Sequence, residues 1–419
     1  MFMRYIWVSL VFLAAMLVLH ILFPSMLNGF GGEVYKLNGV LSDEFIKATL
    51  DYHNILPAFA RRPIMSFFLE FFHITFGLRY SIAFILLGFA TLFCSGMLVA
   101  FLGRMFGLTK KAAQVSVVFF YSGMTIFFAF FGPMYSYDDP FQYVFILLSL
   151  YFLYTRRYIL FVVVFFFALV ARETSIILLP AMVFFCFSKD RHIWSFSNVW
   201  FKVVLCAIPV LMYGLFLFLF LQHTNMLAPT QEYMGGERFV HWQFNFQSVR
   251  FGIETIFSII LPLLVPTMVL WYYTKHHTVT LFEKRLTYAY IVSIIINTII
   301  VVVTARAREA RLFALPLIFL WPILGKYALV VMSYWGKRLY VIAKKQRTVF
   351  VRYCVYYVFF VTLVASIVRY AYRPTAAWGF ERGYKLYALG VVAVYCFMVF
   401  VEWFLKKQAS KHKKVGRCT

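Results

Sequence analysis

The sequence predicts an all-α, multi-pass integral membrane helical bundle, and three observations carry that expectation. Of its 419 residues, 63% are hydrophobic and 21% aromatic, and only 13% are charged, against about 25% charged in a typical soluble domain. The mean hydropathy of +0.81 implies more apolar surface than a water-soluble fold can hide. The apolar residues also fall into runs near 5–24, 79–102, 112–131, 140–155, 158–170, 174–187, 202–222, 253–274, 286–304, 312–333, 348–368 and 386–405. That is about twelve crossings of a bilayer whose core takes roughly 20 helical residues. Residues 1–419 read as one membrane domain, with no internal repeat or flexible linker.

The first run lacks a small-residue cleavage site and is expected to stay as the first helix. The stretch 158–187 is too long for one ordinary crossing and divides at Ala171-Arg172-Glu173-Thr174. With the N-terminus inside, the cytoplasmic turns hold Arg104, Lys110, Lys111, Arg156, Arg157, Lys202, Lys275, Lys284, Arg285, Lys337 and Arg338, and the 406–419 tail is basic. Lysine and arginine collect on that side of membranes, so both termini are expected in the cytoplasm. The location implied is the plasma membrane, or the cell inner membrane in a bacterium. Membrane lipids are thus partners, and the net charge of +24 is met by anionic headgroups. Nucleic acid is excluded, because no polar basic domain exists. The cysteines show no CxxC spacing, and five of the six lie in apolar runs, so neither a disulfide framework nor a zinc site is expected.

The outer face begins with the 25–78 loop. Residues 41–54 read as a short helix with Ser42 as N-cap and Asp43 and Glu44 in its first turn. Pro63 opens a second helix, whose Ile64, Phe67, Phe68, Phe71 and Phe72 form a stripe suited to lie along the interface. A carboxylate held there can take a proton from an attacking hydroxyl, and Arg61 and Arg62 match a departing phosphate. Acids in a first turn also serve simply to complement the helix dipole.

Further along, Asp138 and Asp139 precede Pro140. They read as helix capping first, and otherwise as ligands for sugar hydroxyls or a divalent cation. No metal and no cofactor is expected. Arg172 and Glu173 interrupt about 30 apolar residues, where an ionisable pair either faces a cavity or forms a structural salt bridge. Arg306, Arg308, Glu309 and Arg311 open the tenth run on the outer side, against the charge rule. An anionic ligand such as phosphate would offset that cost, as would snorkelling toward headgroups. His223 and His241 show no metal spacing, and His20 and His73 read as packing or interface residues.

An acid soon after the first helix, amphipathic helices in that loop, an acidic pair before the fourth helix and about twelve spans together resemble the GT-C superfamily. These are membrane glycosyltransferases that use polyprenyl-phosphate-linked sugars. Glu309-Ala-Arg311-Leu-Phe313-Ala-Leu-Pro316 is similar to a Glu-x-Arg-x-Phe-x-x-Pro element of mannosyltransferase-like members, and Arg172-Glu173-Thr174 to an element of bacterial ones. The resemblance implies a GT-C-like fold, Asp43 as general base, and supporting carboxylates at Glu44, Asp138 and Asp139. It places donor-phosphate contacts at Arg172 and Arg306–Arg311. The adjacency of Asp43 and Glu44 leaves open which of them is the base. The function expected is inverting transfer of a sugar from a polyprenyl-phosphate donor to a glycan, glycolipid or envelope-polymer acceptor at the extracytoplasmic face. The alternatives are a secondary transporter and an O-antigen ligase or polymerase.

Overall fold

The computed structural model describes residues 3–22, 43–130, 137–187, 190–196, 198–236, 240–345, 347–371 and 388–404. Most of the first outer loop before Asp43, including Ser42, falls outside the described residues. So do residues 131–136, Glu237, Arg238, most of the 369–385 connection and the basic tail.

Among the described residues every regular element is helical and there is no strand. The longer helices are α1 (Met3–Leu22), α5 (Tyr80–Met105), α6 (Lys110–Ser122), α8 (Asp139–Tyr154), α9 (Tyr158–Ala171), α10 (Leu178–Cys186), α11 (Val199–His223), α14 (Val249–His276), α15 (Leu281–Thr304), α16 (Trp321–Lys345), α17 (Arg347–Ala371) and α18 (Ala388–Phe404). Shorter ones fill the connections: α2 (Asp43–Ile55), α3 (Pro57–Ala60), α4 (Pro63–Phe76), α7 (Met124–Phe127), α12 (Leu227–Gly236) and α13 (His241–Asn245). Among the described residues four helices, α5, α11, α14 and α15, are long and apolar enough to cross a membrane. The chain is an all-α protein whose apolar helices match a helical membrane protein.

Within the described residues each apolar run of the sequence falls on helical elements, with two departures in detail. The 112–131 run is not continuous: α6 stops at Ser122, and Gly123 turns extended (φ −59, ψ 134) before the single turn of α7. The 312–333 run does not begin as an α-helix. It opens with two 3-10 turns, Ala310–Phe313 and Leu315–Phe319, and α16 starts only at Trp321. Pro316 and Pro322 lack the N–H that a helix interior requires and suit first-turn positions instead.

The interruption expected within 158–187 is real. α9 ends at Ala171, Arg172 is extended (φ −160, ψ 119), and a 3-10 turn, Glu173–Ile177, leads into α10. Tyr158 at the start of α9 stacks on Phe187 just beyond α10, with ring centroids 5.5 Å apart. The chain therefore doubles back at Arg172.

The buried core is continuous through α5, α6, α8, α9, α10 and α16. Small residues let helices approach closely where they cross. A Cβ on Gly325 of α16 would sit 2.0 Å from the Ala112 carbonyl oxygen of α6. Alternation of the helices sorts the charged turns by end. At one end Phe106 packs on Tyr154 and Phe282, and Arg285 donates to the carbonyls of Phe187, Asp190 and His192. The buried Lys202 and Asp190 pair there at 2.5 Å. The opposite end carries the corners at Arg62, Arg172 and Arg306–Arg311.

Candidate active site at one end of the bundle

Four corners converge at that end, each set by local sequence. Pro57 and Pro63 open α3 and α4 in quick succession, so Arg61 and Arg62 occupy the bend between two proline-started helices. Asp138 and Asp139 stand at the start of α8, with Pro140 next; Asp138 occupies the N-cap position yet makes no capping hydrogen bond. Arg172 and Glu173 form the reversal between α9 and α10. That reversal is held by Ser175 Oγ donating to the carbonyls of Ala168 and Arg172 (both 2.8 Å), and by Gln142 Nε2 of α8 donating to Ser175 Oγ (2.9 Å). Glu309 and Arg311 belong to the 3-10 turn that precedes α16.

These corners join in one ion network. Arg62 donates to both oxygens of Glu173 at 2.7 Å, and Arg61 reaches the same carboxylate at 3.1 Å. A further nitrogen of Arg62 lies 3.8 Å from Asp138. Arg172 pairs directly with Asp139, whose other oxygen lies 3.5 Å from Arg311. Arg311 in turn holds Glu309 at 2.9 Å. Four arginines (61, 62, 172, 311) thus meet four carboxylates (138, 139, 173, 309), and formal charge cancels. All but Glu309 are at least five-sixths buried, Glu309 being 32% exposed. Buried charges persist only when paired and hydrogen-bonded.

One member is under-satisfied. Asp138 Oδ1 is buried with no hydrogen-bond partner. Burial pushes the Asp138 carboxyl up to about 7, with Arg62 and Arg172 pulling the other way. Beside it, His53 of α2 is buried against Tyr137, with ring centroids 4.0 Å apart, and its Nδ1 also lacks a partner. Burial and the charges of Arg62, Arg311 and Arg172 hold His53 down to about 3, so its ring is neutral. Among the described residues no three His, Cys, Asp or Glu side chains gather as a metal ion would need.

The remaining sequence candidates lie elsewhere at this end. Asp43 Oδ1 accepts from the N–H and the hydroxyl of Ser81 (3.0 and 3.2 Å) at the start of α5, and Glu44 is exposed. No ion pair among the described residues joins either to the network. Arg308 lies 4.0 Å from Glu254 of α14, and Arg306 is exposed. His53, Tyr137 and Glu254 were not singled out by the sequence. The available signal for His53 was its place with Ile46, Thr49 and Leu50 on one face of α2, the face that is buried.

Next to the network runs an apolar groove of about 450 Å³ between α4, α8, α9 and α11, walled by Ile64, Phe67, Phe68, Phe167, Phe216 and Phe220. Pro63 and Val170 also line it; in the chain they lie next to Arg62 and two residues before Arg172, and no charged side chain is among the lining residues. Phe67 and Phe71, from the stripe on α4, face outward. No protein-family model, no curated protein and no solved structure matches this chain.

Proposed function

We propose that the chain is a GT-C-like membrane glycosyltransferase, crossing the membrane about twelve times with its lysine-rich end in the cytoplasm. It would transfer a sugar from a polyprenyl-phosphate carrier to a hydroxyl of a glycan, glycolipid or envelope polymer. The supporting observation is a buried arginine–carboxylate network together with an apolar groove whose lining includes Pro63 and Val170, chain neighbours of Arg62 and Arg172. A lipid-linked sugar phosphate presents the matching pair of features, an isoprenoid chain and an anionic head.

The groove takes the prenyl chain, and Arg62, Arg172 and Arg311 face the phosphate. The acceptor oxygen attacks the anomeric carbon from the side opposite the phosphate. Its proton passes to a carboxylate, and the bond from the anomeric carbon to the phosphate oxygen breaks with its electron pair leaving on the phosphate. The product is inverted and the carrier is released as polyprenyl phosphate. We assign the base to Asp138, which is buried, under-satisfied and close to neutral in pKa. In this assignment Asp43, the base implied by the resemblance, instead holds α2 against the start of α5 through Ser81.

The test compares intact masses of envelope glycans from cells with and without the protein, and from cells carrying Asp138→Asn or Asp43→Asn at equal protein level. Loss of a sugar increment in the deletion and in Asp138→Asn, with Asp43→Asn still active, is the expected result. Loss in Asp43→Asn alone would return the base to Asp43, and an unchanged glycan profile in the deletion would remove the transferase reading.

A further inference from the structure

We infer that His53 binds a second hydroxyl of the acceptor, adjacent to the one that Asp138 deprotonates, so that the acceptor presents a sugar unit with neighbouring hydroxyls. The inference rests on the transferase reading and narrows its acceptor. Nδ1 of His53 and Oδ1 of Asp138 are both buried without a hydrogen-bond partner. The two residues are only 4% and 5% exposed. An unmet polar atom away from water is costly and uncommon in a settled core, so each such atom calls for a reason.

One aromatic ring positions both atoms. His53 lies in the last turn of α2, and its ring centre is 4.0 Å from that of Tyr137 and 4.8 Å from that of Phe59. Tyr137 directly precedes Asp138 in the chain. It stacks on Phe84 of α5 at 5.7 Å, and its hydroxyl lies 3.4 Å from Ser66 Oγ of α4. Tyr137 therefore fixes His53 by ring contact and Asp138 by chain connection. The charges of Arg62, Arg172 and Arg311 act on both groups. The outer surface begins one residue away, where Tyr52 and Asn54 are exposed and the Tyr52 ring lies 5.5 Å from Phe59. Aromatic faces beside a few convergent polar atoms are the usual make-up of a small-ligand site.

The electrostatics select the ligand group. Burial and the charges of Arg62, Arg311 and Arg172 keep the His53 ring uncharged, so Nδ1 is a donor in one tautomer and an acceptor in the other. A cation is repelled by the arginines, and an anion is drawn to a guanidinium before a neutral ring. A hydroxyl both donates and accepts, so it fits either tautomer. A site built to pair with a hydroxyl also rejects an acceptor that lacks it much more strongly than an apolar pocket rejects one extra carbon.

The test compares the parent with His53→Phe and His53→Asn, each as the full chain. In uncharged detergent without ligand, His53→Phe keeps the ring contacts and removes the unpaired nitrogen, so its unfolding midpoint is expected to rise. Transfer is then followed in membranes of cells that carry each form, with glycans isolated from deletion cells added as acceptor. In His53→Phe the KM for those glycans should rise about tenfold or more, the worth of one hydrogen bond, while the donor KM stays unmoved. His53→Asn keeps a polar group near the place of Nδ1 and should recover part of the loss. A midpoint lowered in both His53→Phe and His53→Leu would make the imidazole a packing group and overturn the inference. An unchanged acceptor KM, or a change confined to the donor KM, also overturns it. Deletion cells whose glycans match the parent's would remove the transferase reading itself, a failure that no His53 variant is needed to see.

Discussion

Glu173 is the point at which the ion network is most open to measurement. Its two oxygens serve Arg62 at 2.7 Å and Arg61 at 3.1 Å. At an effective dielectric of about 20 these distances correspond to roughly 6 and 5 kcal/mol of attraction, most of it offset by desolvation. Glu173→Gln keeps the shape and removes the charge, leaving two buried guanidinium groups short of a partner. Breaking a buried pair from one side costs about 3–5 kcal/mol, and that loss is the expected fall in unfolding free energy in detergent. A second consequence has a definite sign. The Glu173 charge raises the Asp138 pKa, and Arg62 opposes it. Without Glu173, Asp138 becomes the remaining ion-pair partner of Arg62 among the described residues, so its pKa must fall. Arg62→Gln and the double variant complete the cycle, and the double variant should be more stable than the sum of the single losses by about 0.5–3 kcal/mol. Strict additivity, or a Glu173→Gln protein as stable as the parent, would refute the network as described.

Three further outcomes follow from the geometry. If Asp138 accepts the proton, kcat/KM should rise with pH along an acid limb near 7. Glu173→Gln should move that limb to lower pH, and a limb unmoved by it argues for a different base. Phe67 walls the groove yet makes few packing contacts within the protein, being 62% exposed, so Phe67→Ala should leave folding intact. It should lower kcat/KM about tenfold or more for a long-chain donor, by the burial worth of an aromatic ring, with little effect on a short-chain water-soluble analogue. Gly325→Ala sets a methyl 2.0 Å from one backbone atom of α6 and 2.4 Å from another. It should destabilise by about 1–3 kcal/mol or more in thermal unfolding, and an unaffected protein would mean that α6 and α16 do not pack as described.

Composition made the helical membrane class legible, because no rearrangement of so apolar a sequence yields a water-soluble surface. The reversal at Arg172 was legible for a related reason: charge inside an apolar run marks a place where the chain leaves the run. Pairing was not legible. Arg62 and Glu173 lie 111 positions apart, and helical periodicity says which face a residue occupies but not which corner meets which. Asp43 stands in the first turn of α2 as the local rule expects, and it also accepts from Ser81 at the start of another helix, a contact that no local rule reaches. The 3-10 opening of the 310–319 segment had its sign in Pro316 and Pro322, but hydropathy windows weigh apolarity alone and run straight through prolines. His53 escaped because one histidine on a short helix carries no spacing signal.

The neutrality of the network bears on the transfer we propose. A sugar phosphodiester brings one negative charge, and the carrier phosphate left behind carries one more as its bond to the sugar breaks. If Asp138 takes the acceptor proton, its own charge disappears in the same step. The total inside the site stays constant, and one negative charge in effect migrates from Asp138 to the phosphate. The charges of Arg62, Arg172 and Arg311 all act on Asp138, and the groove lining includes Pro63 and Val170, chain neighbours of the first two. Arginines held between the start and the end of that migration stabilise both, so little of the binding energy is lost in reorganising the site as charge moves. Rigid pairing with Asp139 and Glu173 keeps them from following the charge. In this arrangement the carboxylates that neutralise the arginines are what hold the field fixed, and replacing one of them should harm the rate more than it harms donor binding.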